Sequence, residues 1–218
     1  SFVRTNQMSG AWVALVIKCL FRKKLVLRTG FELYRFAKQK RTNFVKRASL
    51  FFVSYLCYYM ADLVIAATSQ DKIFMIKNFK VSPGKIMVRP NAIDTACFNS
   101  TQSWDKRKDR VLFVGRNSKQ KQIRKLLPYL SQANISCDIV STDENIKFLL
   151  DDQDDHKYLG SFDNRKMPMI YNNYKYFIIA SQFEGNPKVL LEAMSCGCII
   201  LYVDAPGVTE LVSQTNGN

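Results

Sequence analysis

Apolar residues fall into short dense runs, separated by stretches of helical spacing, along most of the chain. "KKLVLRTG" (23–30) reads as a buried strand ending at a glycine turn, and residues 31–60 read as helical, basic first and aromatic later. "ADLVIAAT" (61–68) predicts a second strand, Ser69 a cap for a helix over 70–79, and "VSPGK" a turn into a short strand at 86–90. "RVLFVG" (110–115) is a strand, and "KQIRKLLPYLSQA" (121–133) is a helix that Pro128 is expected to bend or end early. "SCDIVST" (136–142) is another strand, "DENIKFLLDDQDD" a short helix with an acidic tail, and "YLGSF" (158–162) a strand and turn. "KMPMIYNNY" (166–174) is helical after Pro168; "YFIIAS" (176–181), a helix near 187–195 and "CIILYVD" (198–204) complete a β–α–β unit. Such alternation predicts an α/β fold with parallel sheets. The polar segment "NSTQSWDKRKD" (99–109) is expected to link two lobes, residues 1–98 and 110–218. No internal repeat of solenoid period is visible.

Charge changes this picture mainly in the first lobe. The formal net charge is +14. Residues 1–98 hold 17 Lys and Arg against four acids, whereas residues 99–218 hold 15 against 14. A basic lobe invites anionic lipid, nucleic acid or phosphorylated substrates, or is a solvated surface. No nucleic-acid motif accompanies the charge, so a nucleic-acid partner is not expected. Six cysteines lie mostly in apolar runs without ligand spacing, and there is one histidine, His156, which reads as structural or idle. Buried free thiols in a reducing compartment follow, without a metal site or disulfides. The four aspartates near residues 151–155 lack the spacing of a calcium loop and read as solvated surface. The longest apolar run (48–61) has 14 residues, short for a bilayer span and suited to a buried helix. The sequence begins at Ser1 without Met, and residues 1–30 are not expected to be a signal peptide.

The densest chemistry sits in "SQFEGNPKVLLEAMSCGCII" (181–200). Asn186 is a favoured N-cap, Pro187 suits the first helical position, and Gly197 suits the left-handed residue beyond the last turn. Val189, Leu190, Ala193 and Met194 are the expected apolar face. This helix start lies past the carboxyl end of a strand, where open α/β sheets bind ligands and free amides favour phosphate. Acids beside an anion site need partners of their own, and sugar hydroxyls are such partners. Glu192 lies about 7.5 Å along the axis from Pro187 at the standard rise, and Glu184 precedes the helix. A nucleotide sugar would satisfy both: ribose at Glu192, the transferred sugar at Glu184, phosphates between. "GRNSKQK" (115–121) supplies Arg116 as a planar fork and Lys121 as a point charge for those phosphates.

These residues resemble a known family. "VGRNSKQK", "FIIASQFEGNPKVLLEAMSCGCIIL" and "APGVTELV", in that order, resemble the donor lobe of the retaining glycosyltransferases of family 4. "ADLVIAATSQ" and "KIMVRPNAIDTACF" resemble the end of that family's first lobe. The resemblance implies the GT-B fold, two Rossmann-like lobes, with the first incomplete and the second lacking its terminal helices. It implies transfer of a sugar from a nucleotide-sugar donor to a glycan, lipid or polysaccharide precursor, with retained configuration and no metal or other cofactor. By the resemblance, Arg116 and Lys121 stabilise the departing diphosphate, while Glu184, Gly185 and Asn186 hold the donor sugar. Glu192 holds the ribose, amides near Pro187, Val189 and Leu190 touch phosphate beside Gly115, and the "YLGSF" turn approaches the base. Catalytic roles fall to Arg116, Lys121 and Glu184. Three departures stand out: Gln122 and Ala92 replace glycines, no histidine occurs in "LRTGFE", where Arg28, Thr29 or Glu32 would have to substitute, and 218 residues are few for two full lobes. A fragment or a naturally short chain is therefore expected. A non-catalytic sugar-nucleotide binder or assembly subunit is the alternative. The expected location is cytoplasmic and peripheral, the basic lobe resting on an anionic membrane through Trp12, Phe21 and "FRKK".

Overall fold

The computed structural model describes residues 1–30, 32–40, 42–150 and 155–215. They form two compact units: Ser1–Asn91 with the segment from Glu210 onward, and Ala92–Thr209.

The first unit is a parallel sheet of four strands in chain order, β1 (Phe2–Arg4), β2 (Lys24–Thr29), β3 (Leu63–Ala66) and β4 (Ile86–Val88). The crossovers carry α1 (Ala11–Phe21), α2 (Leu33–Gln39), α3 (Phe44–Met60) and α4 (Ser69–Phe79). Leu25, Leu27, Val64 and Ala66 enter one core with Met8, Leu15, Tyr58 and Phe79. The alternate positions Val26, Leu63 and Ile65 are only half-buried, as the strand period of two requires. β1 and α1 precede the first element that the sequence predicts. β1 is three residues long, and Trp12, Val16, Leu20 and Phe21 make the exposed face of α1 as apolar as its buried one, which erases the period. The single helix expected over 31–60 is two, because Asn43 Oδ1 accepts the Lys46 N–H at 3.0 Å and starts α3 afresh. Thr68, not Ser69, caps α4: its backbone is extended and its Oγ1 accepts the Asp71 N–H at 3.0 Å.

The second unit has five parallel strands, β5 (Lys108–Val114), β6 (Cys137–Val140), β7 (Lys157–Gly160), β8 (Tyr174–Ile179) and β9 (Ile199–Tyr202). Their spatial order is β7-β6-β5-β8-β9. The chain therefore winds outward from β5 to β7, then returns to β8, and the switch point lies between β5 and β8. α5 (Ile123–Gln132), α6 (Met167–Asn172) and α7 (Lys188–Ser195) flank the sheet. α5 continues through Pro128 instead of ending there. The proline forfeits only the bond to the Arg124 carbonyl, while Leu127 and Leu130 on either side of it are buried. The expected helix after Asp143 is a 3-10 segment, Glu144–Leu149; Asp151, Asp152 and Asp154 lie outside the described residues.

Two boundaries differ from those the sequence suggests. Residues 99–109 are not a linker but part of this unit, for Lys108 and Asp109 already belong to β5. Arg107, 4% exposed, gathers the segment. Its guanidinium donates to the carbonyls of Gln102, Tyr174 and Cys196, to Ser100 Oγ and to Asn172 Oδ1, at 2.9 to 3.4 Å. Polar composition misleads here because one polar residue of a mostly exposed segment, Arg107, is turned inward and paired. The last helix, α8 (Thr209–Thr215), belongs from Glu210 onward to the first unit, where Glu210 Oε1 accepts the Ser69 N–H at 2.8 Å.

His156 is a bridge. Its Nδ1 accepts the Cys137 N–H at 3.2 Å, so Nε2 carries the proton and donates to Ser131 Oγ, 3.0 Å away. Cys57, Cys137, Cys196 and Cys198 are buried free thiols, whereas Cys19 and Cys97 are exposed. Burial pushes the Cys57 and Cys196 thiols up to about 11 and the Cys137 and Cys198 thiols up to about 12, so all four stay protonated at neutral pH.

Candidate functional site

Two turns flank the switch point. The turn after β5 runs from Gly115 to Lys121 and closes with Gln122 in left-handed backbone, φ 56°. The loop after β8 runs from Ala180 to Pro187. Gln120 ties them together: its carbonyl accepts the Gln182 N–H and its Nε2 donates to the Phe183 carbonyl, both at 2.9 Å. Downstream, the Glu184 N–H donates to the Pro206 carbonyl at 2.8 Å. Gly207, φ +80°, packs so tightly there that a Cβ would stand 2.1 Å from the Glu184 carbonyl oxygen and 2.5 Å from that of Gly185.

α7 starts one residue later than its sequence suggests. Pro187, with extended backbone, is the N-cap and Lys188 the first helical residue; Asn186, though buried, is not the cap. Boundaries shift this easily when a proline can serve on either side of them. The consequence is chemical, because Pro187 has no side-chain oxygen to satisfy the first turn. The Leu190 N–H is taken by the Pro187 carbonyl at 3.1 Å, and Leu190 itself is fully buried. Among the described residues, the N–H groups of Lys188 and Val189 have no acceptor. They are the amides open to an anion, rather than the whole run to Leu190.

Val189 is half-buried and lines a cavity of about 280 Å³, instead of packing wholly on the sheet. The cavity lies over the carboxyl ends of β5, β6 and β7. Gly115 and Arg116, Ser141 and Thr142, and Ser161 and Phe162 form its wall, and Glu192 reaches it from α7. Arg116 is exposed and makes no hydrogen bond or ion pair among the described residues. Glu192 is 7% exposed, and its Oε2 accepts the Tyr171 Oη–H at 2.9 Å. Burial raises the Glu192 carboxyl above its usual range, while Tyr171 and Lys188 draw it back. Burial, with the carboxylate beside it, also pushes up the Tyr171 phenol, which therefore remains a donor.

Glu184 and Lys121 do not line this cavity. They face each other, Lys121 Nζ 2.7 Å from Glu184 Oε1, an ion pair whose direction is too oblique for a hydrogen bond. The structure thus brings Gly115, Arg116, Val189 and Glu192 together, and sets Lys121 with Glu184, Gly185 and Gly207 beside them. A larger hollow, about 530 Å³, behind the same turn is lined by Ser118, Gln122 and Gln182 and holds none of the expected site residues. Tyr171, Gln120, Arg107 and Gly207 escape sequence reasoning, since each acts through a partner distant in the chain. Gly207 is touched only by the family resemblance of "APGVTELV". Among the described residues, no group of three or more His, Cys, Asp or Glu side chains is placed to hold a metal ion.

Open amides at a helix start, an unpaired arginine and a buried acid at a switch point are the arrangement of doubly wound α/β units that take phosphate-bearing ligands. The chain belongs to the glycosyl transferases group 1 family, which its residues 98–218 match. It is 29% identical over 190 residues to N-acetylgalactosamine-N,N'-diacetylbacillosaminyl-diphospho-undecaprenol 4-alpha-N-acetylgalactosaminyltransferase of Campylobacter jejuni. That match takes in 78% of this chain and 49% of the relative, so the chain spans about half the length of the curated relative it matches. Among solved structures it resembles Anabaena HepE in complex with UDP and glucose, with a TM-score of 0.78 at 19% identity, over 96% of this chain and 61% of that one. It also resembles sucrose-phosphate synthase from Thermosynechococcus elongatus, with a TM-score of 0.79 at 18% identity, over 95% of this chain and 57% of that one. The fold is α/β, of the GT-B type with Rossmann-like lobes.

Proposed function

We propose that this chain carries the donor site of a retaining, metal-independent glycosyltransferase that takes its sugar from a nucleoside diphosphate. The carrying observation is the cavity lined by Arg116, the buried Glu192 and Val189, whose amide has no acceptor among the described residues. In this reading the pyrophosphate lies against the start of α7 and Arg116, the ribose lies at Glu192, and the base lies toward Ser161 and Phe162. Lys121 and Glu184 take the leaving phosphate and the transferred sugar, with Gly185 and Asn186 beside them. Arg116 and Lys121 supply the positive charge that the departing diphosphate requires. A UDP donor and a lipid-linked or glycan acceptor are the first to try. The solved relative holds UDP, and the curated relative is named for a diphospho-undecaprenol acceptor.

A thermal-shift panel of UDP-, GDP- and ADP-sugars tests the donor site. One donor is expected to raise the melting temperature of the wild type and not that of Glu192→Ala. If no donor shifts the wild type, the reading is wrong.

The same reading places the protein on the cytoplasmic face of a membrane with anionic lipid. On α1, Trp12, Leu20 and Phe21 are exposed, with Arg22 and Lys23 following the helix; on α3, which carries Lys46 and Arg47, Phe44, Phe52 and Tyr59 are exposed. No helix among the described residues is long and apolar enough to cross a membrane. Retention on anionic but not neutral liposomes at low salt is the expected result, and equal retention would remove the membrane from the proposal. A non-catalytic sugar-nucleotide binder is the second reading, favoured by one observation: the sole histidine, His156, is engaged in holding β6 to α5. Donor turnover separates the two.

A further inference from the structure

Tyr171 connects the acid of the cavity to the folded segment before β5. The residue is fully buried in α6, and its ring is held by Phe177, with centroids 5.9 Å apart, and by Phe98, at 6.2 Å. Its neighbour Asn172 pins the same helix. The Asn172 Oδ1 accepts the Thr101 N–H at 2.8 Å, and its Nδ2 donates to the carbonyls of Asn99 and Pro168, both at 2.9 Å. A phenol so enclosed cannot swing away from the carboxylate that it meets. Glu192 Oε2 is therefore committed to Tyr171, whereas Glu192 Oε1 has no hydrogen-bond partner among the described residues.

We propose that Tyr171 is a positioning residue that makes Glu192 a single-oxygen acceptor for one ribose hydroxyl, so that the site tells ribonucleotides from their deoxy counterparts. The proposal rests on reading the cavity as a nucleotide site. An ionised carboxylate can only accept hydrogen bonds, and with one lone pair of Oε2 held by the enclosed phenol, the unpartnered Oε1 is the oxygen with most capacity left for a hydroxyl of the ribose diol. Removing that hydroxyl leaves a buried acceptor without a partner, the kind of loss that discriminates strongly. The groups around Glu192 are Tyr171 from α6, Lys188 on its own helix, Cys196 at the end of that helix and Arg116 on the cavity wall. Burial favours the neutral acid, and the Tyr171 hydroxyl opposes it. Loss of that hydroxyl therefore lets Glu192 take up a proton at higher pH.

The test is calorimetric titration of wild type and Tyr171→Phe with UDP, 2′-deoxy-UDP and 3′-deoxy-UDP, with the ADP and GDP series alongside, between pH 6 and 8. The wild type is expected to prefer the ribonucleotide over one deoxy form by about tenfold or more, consistent with a charge-assisted hydrogen bond. In Tyr171→Phe the preference should fall to about threefold or less, with deoxynucleotide affinity unchanged, and should fade at higher pH than in the wild type. Glu192→Gln, which keeps the shape and cannot ionise, should show no such pH dependence. An unaltered preference and pH profile in Tyr171→Phe would overturn the proposal, as would equal losses for ribo and deoxy forms. Failure of every diphosphate to bind the wild type would instead remove the underlying nucleotide reading, and this proposal with it.

Discussion

Lys121 Nζ lies 2.7 Å from Glu184 Oε1, joining the turn after β5 to the loop after β8 by charge as well as by backbone. Both side chains are mostly enclosed, so water screens the pair only in part. The pair holds a cation and an acid ready beside the cavity, at the cost of neutralising the cation toward phosphate. Glu184→Gln should free that charge. A bare nucleoside diphosphate is expected to bind Glu184→Gln about three- to tenfold more tightly than the wild type, on the order of 1 kcal/mol. The nucleotide sugar should gain less, because its sugar loses an acceptor. Calorimetry with UDP and the matched UDP-sugar checks this. Unchanged affinity for the diphosphate would mean that Lys121 does not face it.

Arg116 differs from Lys121 in having no partner among the described residues while standing on the cavity wall. In the proposed donor site, an unpaired guanidinium would do most where negative charge grows, during departure of the leaving group. Arg116→Ala is expected to lower turnover about 100-fold while changing donor affinity by about threefold or less. Steady-state rates with equilibrium titration separate the two effects. Equal losses in both would show that Arg116 only binds.

Much of this was legible because it is local. The proline and glycine around "NPKVLLEAMSCG" mark both ends of α7 to within one residue, and the basic turn is visible as a cluster of polar residues behind an apolar strand. What stayed hidden is held by partners far along the chain. Arg107 and Asn172 are polar residues in a polar-looking context, yet both are buried by contacts across more than 60 positions. Composition led to a linker there because it registers polarity and not pairing. Gln122 replaces a family glycine yet keeps a glycine-like φ of 56°, so the turn survives a substitution that the sequence marks as a departure. Side-chain direction was also out of reach: the spacing of Glu184 and Glu192 places them around one helix start, but only the fold turns Glu192 inward and Glu184 toward Lys121.

Arg107 offers a stability test away from the ligand. Its charge is buried with neutral acceptors only, including the Cys196 carbonyl just past the last turn of α7, where the helix dipole favours a cation. Arg107→Met would leave several of these acceptors unpaired, each worth about 1 kcal/mol or more. Unfolding in urea should show a loss of about 3 kcal/mol, with donor affinity at low temperature nearly intact. A loss within about 0.5 kcal/mol would mean that the hub is dispensable.

In the first unit, Glu32 caps α2 by accepting the Arg35 N–H at 2.5 Å. Its Oε1 is crowded against other buried groups, Ser54 Oγ and Tyr58 Oη, without an aligned hydrogen bond among them. Burial raises its pKa, the Arg35 N–H opposes this, and Asp71 adds to it. The folded state thus holds this proton more tightly than the unfolded chain. The corresponding stability is fully present below the ordinary carboxyl value and is lost as pH rises through the folded one. Glu32→Gln, which keeps the acceptor and supplies donors, should melt about 2–4 °C higher than the wild type at neutral pH, with the advantage fading toward pH 4. A lower melting temperature at neutral pH would mean that the ionised form is what the fold requires.

Gly207 reports most directly on whether the Glu184 loop must stay where it is. The contacts a Cβ would make, 2.1 Å to the Glu184 oxygen and 2.5 Å to that of Gly185, are with backbone, so no rotamer change relieves them. The φ of +80° adds strain to any other residue. Gly207→Ala must therefore push the loop, Glu184 with it, away from Lys121, while the cavity lined by Arg116 and Glu192 lies on other segments. A bare diphosphate should bind this variant at least as tightly as the wild type, by up to about tenfold because Lys121 is released, whereas transfer should fall about 100-fold, since a misplacement near 1 Å costs that much. Turnover close to that of the wild type would show that the transferred sugar is held elsewhere.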